Sequence, residues 1–368
     1  MADNLLSQNP VETVGNTPKG GRKNRNKDQS GDDDKSVLQG TDTSLVPTVG
    51  DKDEGDESLK IRIRLNLKAK VKLELEADIQ GEIYQPASMA FARRLAILPG
   101  GLGGLGSSIG KKLREQGARL AILYAPFEAA RRDELLHAGY GSASGTSTSD
   151  TDIRTYECDI TSPQSVSSAF SALKEEMVSP SSSAASARAF PSILINTAGY
   201  VSLSDMELTP PEETMKHLTT NVLGPMLCSQ AFARMYFEAA GNAAASTNPP
   251  PPGRIVSISS QAAHVALHRH GAYCASKAAL LGLARSMASE WAPRGITSNT
   301  VSPTVAWTAL GKKAWGEDAV REAFLKNIPT GKFALPEDVA DAVLFLCQDS
   351  SGMINGADIR VDGGFTIR

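Results

Sequence analysis

Tyr273 and Lys277 stand four residues apart in the run Tyr-Cys-Ala-Ser-Lys-Ala-Ala-Leu-Leu-Gly-Leu-Ala-Arg, whose composition predicts a helix. At that spacing the two side chains leave the same helical face. A phenol titrates near ~10 and is a poor acid–base group at neutral pH. An ammonium beside it favours the phenolate and is expected to draw the titration toward the working range. Ser260, thirteen residues upstream, follows the apolar run Arg254-Ile-Val-Ser-Ile, where its hydroxyl is placed to bond a substrate oxygen. The three residues together suit proton transfer to or from an alcohol or a carbonyl, the companion step of hydride transfer. A tyrosine and a lysine four apart also occur by chance on solvated helices. The assignment therefore rests on the elements that carry them.

From Arg93 onward short apolar runs alternate with helical stretches. Strands are expected at 95–98, 119–123, 153–157, 192–195, 254–258, 296–301 and 357–361. Helices are expected near 104–117, 128–138, 162–178, 211–240, 270–291, 317–327 and 336–348. Such alternation predicts an α/β fold of the Rossmann type, a doubly wound parallel sheet covered on both faces, over residues 93–368. Small-residue segments at 141–152, 179–189 and 243–252 each precede a strand, so they are expected at the end of the sheet opposite its ligand-binding edge.

Ahead of this domain, residues 1–57 are rich in Asn, Gly, Ser, Asp and Lys and hold no sustained apolar periodicity, the composition of a disordered tail. Residues 58–92 form an extension and linker. Within it, alternate positions from Ile61 to Ile79 are apolar, a β period longer than a usual strand. Two readings stay open for it: a strand or hairpin added to this chain's surface, and a strand that pairs with another chain's edge.

A net charge of −3 over 368 residues gives no electrostatic reason to expect nucleic acid or an anionic membrane as a partner. Cys158, Cys228, Cys274 and Cys347 are too scattered for a disulfide framework or a paired zinc site, and fit a reducing compartment. No apolar run is long enough to span a bilayer, and the first thirty residues lack the apolar core of a signal peptide, so the cytoplasm is the expected location.

The first strand runs into Pro99-Gly-Gly-Leu-Gly-Gly-Leu-Gly106 and then directly into a helix. Glycines there let the backbone turn tightly and approach a diphosphate, whose charge meets the helix N-terminus. A glycine-rich turn between a strand and a helix at the start of an α/β repeat is a moderately strong dinucleotide signal.

At this point the sequence resembles the short-chain dehydrogenase/reductase family over about residues 93–368. Gly100, Gly104 and Gly106 match its Gly-x-x-x-Gly-x-Gly cofactor loop, with Leu102 and Leu105 between them. Asp159-Ile160 matches the pair that meets the adenine, and Asn196-Thr-Ala198-Gly199 the turn that lines the cofactor groove. Asn221, Ser260, Tyr273 and Lys277 match the catalytic tetrad, and Pro303, Val305 and Thr308 the segment around the nicotinamide amide. The resemblance implies an NAD(P)-dependent oxidoreductase in which Tyr273 exchanges a proton with the substrate oxygen. Ser260 would orient the substrate, Lys277 would lower the Tyr273 pKa and hold the ribose, and Asn221 would support a water-linked relay. Pro99 stands where the family usually has threonine, and Thr304 where it has glycine.

The C-terminal third is similar to the polyol dehydrogenase and L-xylulose (dicarbonyl) reductase branch, in Ser302-Pro-Thr-Val-Ala-Trp, Ile328-Pro-Thr-Gly and Asp362-Gly-Gly-Phe-Thr-Ile. That similarity implies a small polyol, ketose or dicarbonyl substrate, met by Ser260, Gln261, His270 and Trp315. It also implies a homodimer or homotetramer, with the small residues Ala278, Ala279, Gly282 and Ala284 permitting close helix contact. Tyr124 occupies the end of the second strand, where an acid would bind the ribose and repel a 2′-phosphate, so NADP(H) is expected over NAD(H).

Other readings remain beside these. His264, His268, His270 and Cys274 lack the tight pairing of a metal site. Trp315 reads equally as a core aromatic. A 3-oxoacyl-thioester reductase is the rival enzyme. A silent binding or scaffold protein on the same fold is the rival class.

Overall fold

The computed structural model describes residues 89–141, 152–178, 189–243, 249–315 and 317–367. The proposed tail 1–57, the alternating segment 61–79 and most of the three small-residue segments lie outside the described residues. Phe91, placed in the linker by sequence, is instead fully buried in the domain. Its amide bonds the Gln116 carbonyl at 2.9 Å, and Arg94 lies 5.6 Å over its ring.

Seven strands form one parallel sheet: β1 (Arg94–Pro99), β2 (Arg119–Tyr124), β3 (Ile153–Glu157), β4 (Phe190–Asn196), β5 (Gly253–Ile258), β6 (Ile296–Pro303) and β7 (Asp358–Val361). Their order is β3-β2-β1-β4-β5-β6-β7, and every pairing is parallel. Central strands such as β1, Arg-Leu-Ala-Ile-Leu-Pro, are buried along their whole length. A strand covered on both faces has no solvent side, which is why these segments read as continuous apolar runs rather than alternating ones.

One face is covered by α1 (Gly104–Glu115), α2 (Arg132–Tyr140) and α9 (Pro336–Cys347), which bury Ile109, Leu113, Tyr140, Val339 and Val343 against the sheet. The other is covered by α3 (Pro163–Leu173), α5 (Gly224–Ala243) and α6 (Gly271–Trp291), which bury Phe170, Leu173, Cys228, Phe232 and Met287. A short α4 (Pro211–Leu218) runs through a π-helical turn at Thr219–Leu223 straight into α5. The helix expected over 211–240 is thus divided, and α7 (Ala309–Ala314), which precedes α8 (Asp318–Leu325), is an element the sequence pattern does not predict.

The chain order reverses between β1 and β4, so the loops leaving their carboxyl ends diverge and open a crevice there. Pro99 sits at that edge without disturbing it. The ladder bond at this level is made by Gly100, whose amide donates to the Leu123 carbonyl at 2.9 Å. The Pro99 carbonyl accepts from the amides of Thr197 and Ala198, each at 3.0 Å, and from the Thr197 hydroxyl at 2.8 Å. The residue that departs from the family pattern thus ties the two crevice loops together. Among the described residues no helix is long and apolar enough to cross a membrane.

Candidate active site

The glycine loop is shaped by close backbone approach. Gly100 takes φ +80°, and a Cβ there would lie 2.6 Å from the Ala198 amide nitrogen; one on Gly106 would lie 2.3 Å from the Gly100 carbonyl oxygen. Only glycine fits both positions. Gly104 lies under Thr308, whose side chain would meet an added Cβ at 2.9 Å. The predicted segments 100–106, 196–199 and 303–308 therefore converge on one crevice. Gly103 caps α1 with no side-chain acceptor, which leaves the first-turn amides available to an anion. Together with Gly100 and Gly106, this is the cradle a dinucleotide diphosphate requires.

The remaining cofactor candidates are placed as follows. Ile160 packs on Gly224, at the start of α5. Asp159 turns its carboxylate onto the amide and hydroxyl of Thr161, at 2.9 and 2.7 Å. Asn196 is buried, and its amide donates to Ser229 and Ser257 at 3.2 and 3.1 Å. That side chain braces β4 against α5 and β5, and shapes the groove only through the turn it holds. Tyr124 ends β2 with Arg132 beside its hydroxyl, although Asp133 is the main partner of that guanidinium. Glu128, expected to begin an α-helix, lies in a 3₁₀ turn at Pro126–Arg131 and folds its carboxylate back onto the Ala125 amide at 2.8 Å.

Sequence reasoning missed Tyr140. Its hydroxyl reaches under the glycine loop to the Gly101 carbonyl at 2.8 Å. A single tyrosine at a helix end carries no periodic or motif signal that would have marked it.

The tetrad residues gather at the carboxyl edge of β4 and β5. Ser260 begins a 3₁₀ turn, Gln261–Ala263, and caps it by accepting the Ala262 amide at 3.1 Å. Tyr273 and Lys277 share one face of α6, with the Lys277 Nζ 5.7 Å from the Tyr273 ring centroid. Asn221 lies in the π-helical turn, fully buried. Its Oδ1 accepts the Tyr200 amide at 2.7 Å, and its Nδ2 donates to the Tyr200 carbonyl at 2.8 Å and to Ser276 Oγ at 2.9 Å.

The expected electrostatic coupling of Lys277 to Tyr273 differs in this structure. Burial pushes the Tyr273 phenol up from its ordinary value, the hydrogen bond with Ser260 opposes the rise, and the neighbouring Cys274 adds to it. Burial also lowers Lys277 to about 8. Its Nζ donates to the Ile258 carbonyl at 2.9 Å rather than to the phenol. Withdrawal from water disfavours both ionised forms at once, and the Ser260 hydrogen bond works against it at the phenol.

His270 is the N-cap residue of α6, its ring 6.0 Å from that of Tyr273 and its Nδ1 against the His268 carbonyl at 2.7 Å. Gln261 is buried, and its Oε1 has no hydrogen-bond partner among the described residues. Trp315 stacks 4.4 Å from Phe324 and 6.1 Å from Phe333. The open groove it lines, about 490 Å³, is otherwise made by Ala319, Val320, Ala323, Phe324 and Asn327. None of Ser260, Gln261, His270 or Tyr273 is in that lining, so this groove is separate from the tetrad. His264 pairs with Asp358 at 2.8 Å and Cys274 faces the Val265 carbonyl at 3.9 Å, so the histidine–cysteine group disperses to separate partners.

A family model described as enoyl-(acyl carrier protein) reductase matches residues 100–366. A D-threitol dehydrogenase of Mycolicibacterium smegmatis is 37% identical over 276 residues, 75% of this chain and 94% of that protein. The chain belongs to the short-chain dehydrogenase/reductase family. An NAD-dependent glycerol dehydrogenase of Listeria innocua is 42% identical over 176 residues, covering 48% of this chain and 65% of the relative. A solved short-chain dehydrogenase/reductase from Serratia marcescens superposes with a TM-score of 0.61 at 25% identity, covering 75% of this chain and 99% of that one. The family assignment supports an enzyme and gives no support to the scaffold reading.

In this short-chain dehydrogenase/reductase the buried ammonium is a cost to the free enzyme. The unfolded lysine titrates near ~10.4, so between about 8 and that value the unfolded chain binds more protons and stability rises with pH. Lys277→Met is therefore expected to raise the unfolding free energy at neutral pH by on the order of 2 kcal/mol. The gain should shrink as the pH climbs from about 8 toward 10. Denaturant unfolding of both proteins across that range checks this, and a destabilised Lys277→Met at neutral pH would show the ammonium to be a net support.

Proposed function

We propose that the chain interconverts a secondary alcohol and a ketone on a small polyol, ketose or dicarbonyl. The observation that carries the reading is Tyr273, facing Ser260 and sharing an α6 face with Lys277, at the edge of the sheet where the glycine loop opens. Tyr273 exchanges the proton with the substrate oxygen and Ser260 orients that oxygen. Lys277 supports the ribose, and Asn221 fixes the backbone beside them. A nicotinamide dinucleotide, when bound, supplies or accepts the hydride.

Gly100, Leu102, Gly104, Leu105 and Gly106 would hold its diphosphate, Asp159 and Ile160 its adenine, and Tyr124 its adenosine ribose. Asn196, Ala198 and Gly199 would shape the groove, and Pro303, Val305 and Thr308 would flank the nicotinamide amide. Gln261 and His270 fit a polyhydroxy ligand: a buried carbonyl oxygen without a partner favours an arriving hydroxyl donor. The threitol and glycerol dehydrogenase relatives support the same class. The second reading is a 3-oxoacyl-thioester reductase, whose thioester class is shared by the description of the matching family model. Trp315 contributes through its aromatic cluster with Phe324 and Phe333.

NADP(H) is preferred over NAD(H) in this proposal, because a tyrosine with Arg132 beside it replaces the repelling acid at the end of β2. The chain assembles as a homodimer or homotetramer through α6, whose outward face exposes Ala278, Ala279 and Gly282. Ala284, expected on the same face, is buried within the chain. The assembly prediction is a mass of two or four chains by light scattering at micromolar concentration; a monomer refutes it.

Tyr273→Phe should lower turnover of the best substrate by about 10²–10⁴-fold with the fold intact. Circular dichroism and initial rates over sugars, polyols, dicarbonyls and acyl thioesters check this, and near-normal turnover would remove Tyr273 from the mechanism. A preference for acyl thioesters would establish the second reading. At matched concentrations NADPH should outrun NADH, and Arg132→Ala should reduce kcat/KM for NADPH about tenfold while sparing NADH. A tenfold preference for NADH in the unaltered enzyme would overturn the cofactor assignment.

A further inference from the structure

Glu213, His217 and Asn221 are spaced four residues apart along α4 and the π-helical turn, and all three side chains bond the segment that leaves the crevice after Gly199. In that segment Tyr200, Ser202 and Ser204 are half-buried, while Val201 and Leu203 between them are exposed. Asn221 clamps Tyr200 through both its amide and its carbonyl. The Tyr200 and Ser202 hydroxyls both donate to Glu213 Oε2, at 2.9 and 2.8 Å. Those two hydroxyls, Ser202 foremost, hold the Glu213 carboxyl below its ordinary range, so it is an anionic acceptor.

The Ser202 amide lies 3.1 Å from His217 Nε2. An amide can only donate, so Nε2 is the bare nitrogen of a neutral ring. The proton then sits on Nδ1, which lies 2.7 Å from the Glu213 carbonyl. Both ring nitrogens are thereby committed to backbone. The buried His217 ring lies 4.9 Å from the Tyr200 ring and 6.3 Å from the Tyr273 ring. Lys216 covers the Tyr200 ring at 4.2 Å. At its far end the segment is tied to the residue before His270. The Ser204 amide donates to the Arg269 carbonyl at 3.1 Å, and the Arg269 side chain pairs with Asp205 at 3.2 Å. Arg269 is held at φ +62°, a conformation that persists where surrounding contacts over-determine it.

We propose that Glu213 and His217 are positioning residues for the oxidoreduction, holding Tyr200–Ser204 as a fixed wall between Asn221 and Tyr273 against which the substrate is oriented. They act through that wall and through the Tyr273 ring, not on the reacting atoms. The proposal rests on the oxidoreductase reading but not on the identity of the substrate.

Glu213→Ala should lower kcat/KM by about 10–100-fold, since small misplacements remote from the chemistry have effects of that size. Dinucleotide affinity, followed by fluorescence titration with NADPH, should stay within about twofold, because the diphosphate cradle is remote from α4. Glu213→Gln keeps an oxygen that accepts both hydroxyls and should restore most of the activity. His217→Phe keeps a ring beside Tyr200 and Tyr273 but removes the acceptor, and should behave like Glu213→Ala. A Glu213→Ala enzyme within twofold of the unaltered one, or a Glu213→Gln enzyme no better than Glu213→Ala, overturns the proposal. Hydrogen exchange over residues 200–206 reads the wall without turnover. It should accelerate in Glu213→Ala and not in Glu213→Gln, and unchanged exchange in Glu213→Ala overturns the proposal whichever substrate the enzyme takes. Turnover of acyl thioesters alone would displace the polyol reading and leave this test standing.

Discussion

Withdrawing a phenol and an ammonium from water side by side is the constraint around which this site is built. Burial raises Tyr273 and lowers Lys277, so neither ion is favoured by its surroundings alone. The compensations are local and few: the Ser260 hydroxyl at the phenol, and the Ile258 carbonyl at the ammonium. Both come from the carboxyl end of β5, and both require α6 to lie in one register against that strand. A cation that donates to a strand carbonyl is oriented, whereas one free in solvent would sample many rotamers.

The same economy of space governs the cofactor side of the crevice. Two loops meet there at backbone contact, Gly100 against Ala198 and Gly106 against Gly100. The Pro99 carbonyl accepts from the far loop, and Tyr140 supports the near one from beneath. Thr308 rests on Gly104 and at the same time caps α7, accepting the Gly311 amide at 3.2 Å. The segment that carries α7 and α8 is thus anchored to the glycine loop at its base. Beyond that anchor aromatic contacts tie it to its neighbours, Trp307 to Phe333, Trp315 to Phe324 and Phe324 to Phe365.

What was legible in the sequence follows from which signals are periodic. The central strands β1, β2, β4 and β5 read as apolar runs because neither face meets water, and the longer helices showed through their 3.6-residue pattern. The tetrad was legible from order and spacing, within a resemblance that covered the whole domain. Signals that depend on a single turn were not. Six residues of α7, with Gly311 among them, are too few to show a period. Glu128 reads as a helix starter, yet it sits in a 3₁₀ turn with its carboxylate folded back onto the Ala125 amide. The direction of the Lys277 ammonium depends on a carbonyl nineteen residues away in sequence, and no local pattern encodes it. Trp315 was equally compatible with a wall and a core, and its neighbours place it in an aromatic cluster.

The row Glu213–His217–Asn221 shows why a motif match captures only part of a site. Asn221 is marked by the family pattern, and its side chain hydrogen-bonds Tyr200 and Ser276. Glu213 and His217 hold the next residues of the same segment by the same means, and the helical face they share was present in the sequence at a spacing of four. A catalytic centre whose reacting groups stand on one helix and whose opposing wall is an extended segment needs that wall fixed at several points. A single clamp leaves the chain beyond it free to rotate. Asn221 reaches Tyr200 from the π-helical turn, while the chain runs on unbroken from the helix that presents the other two into α5.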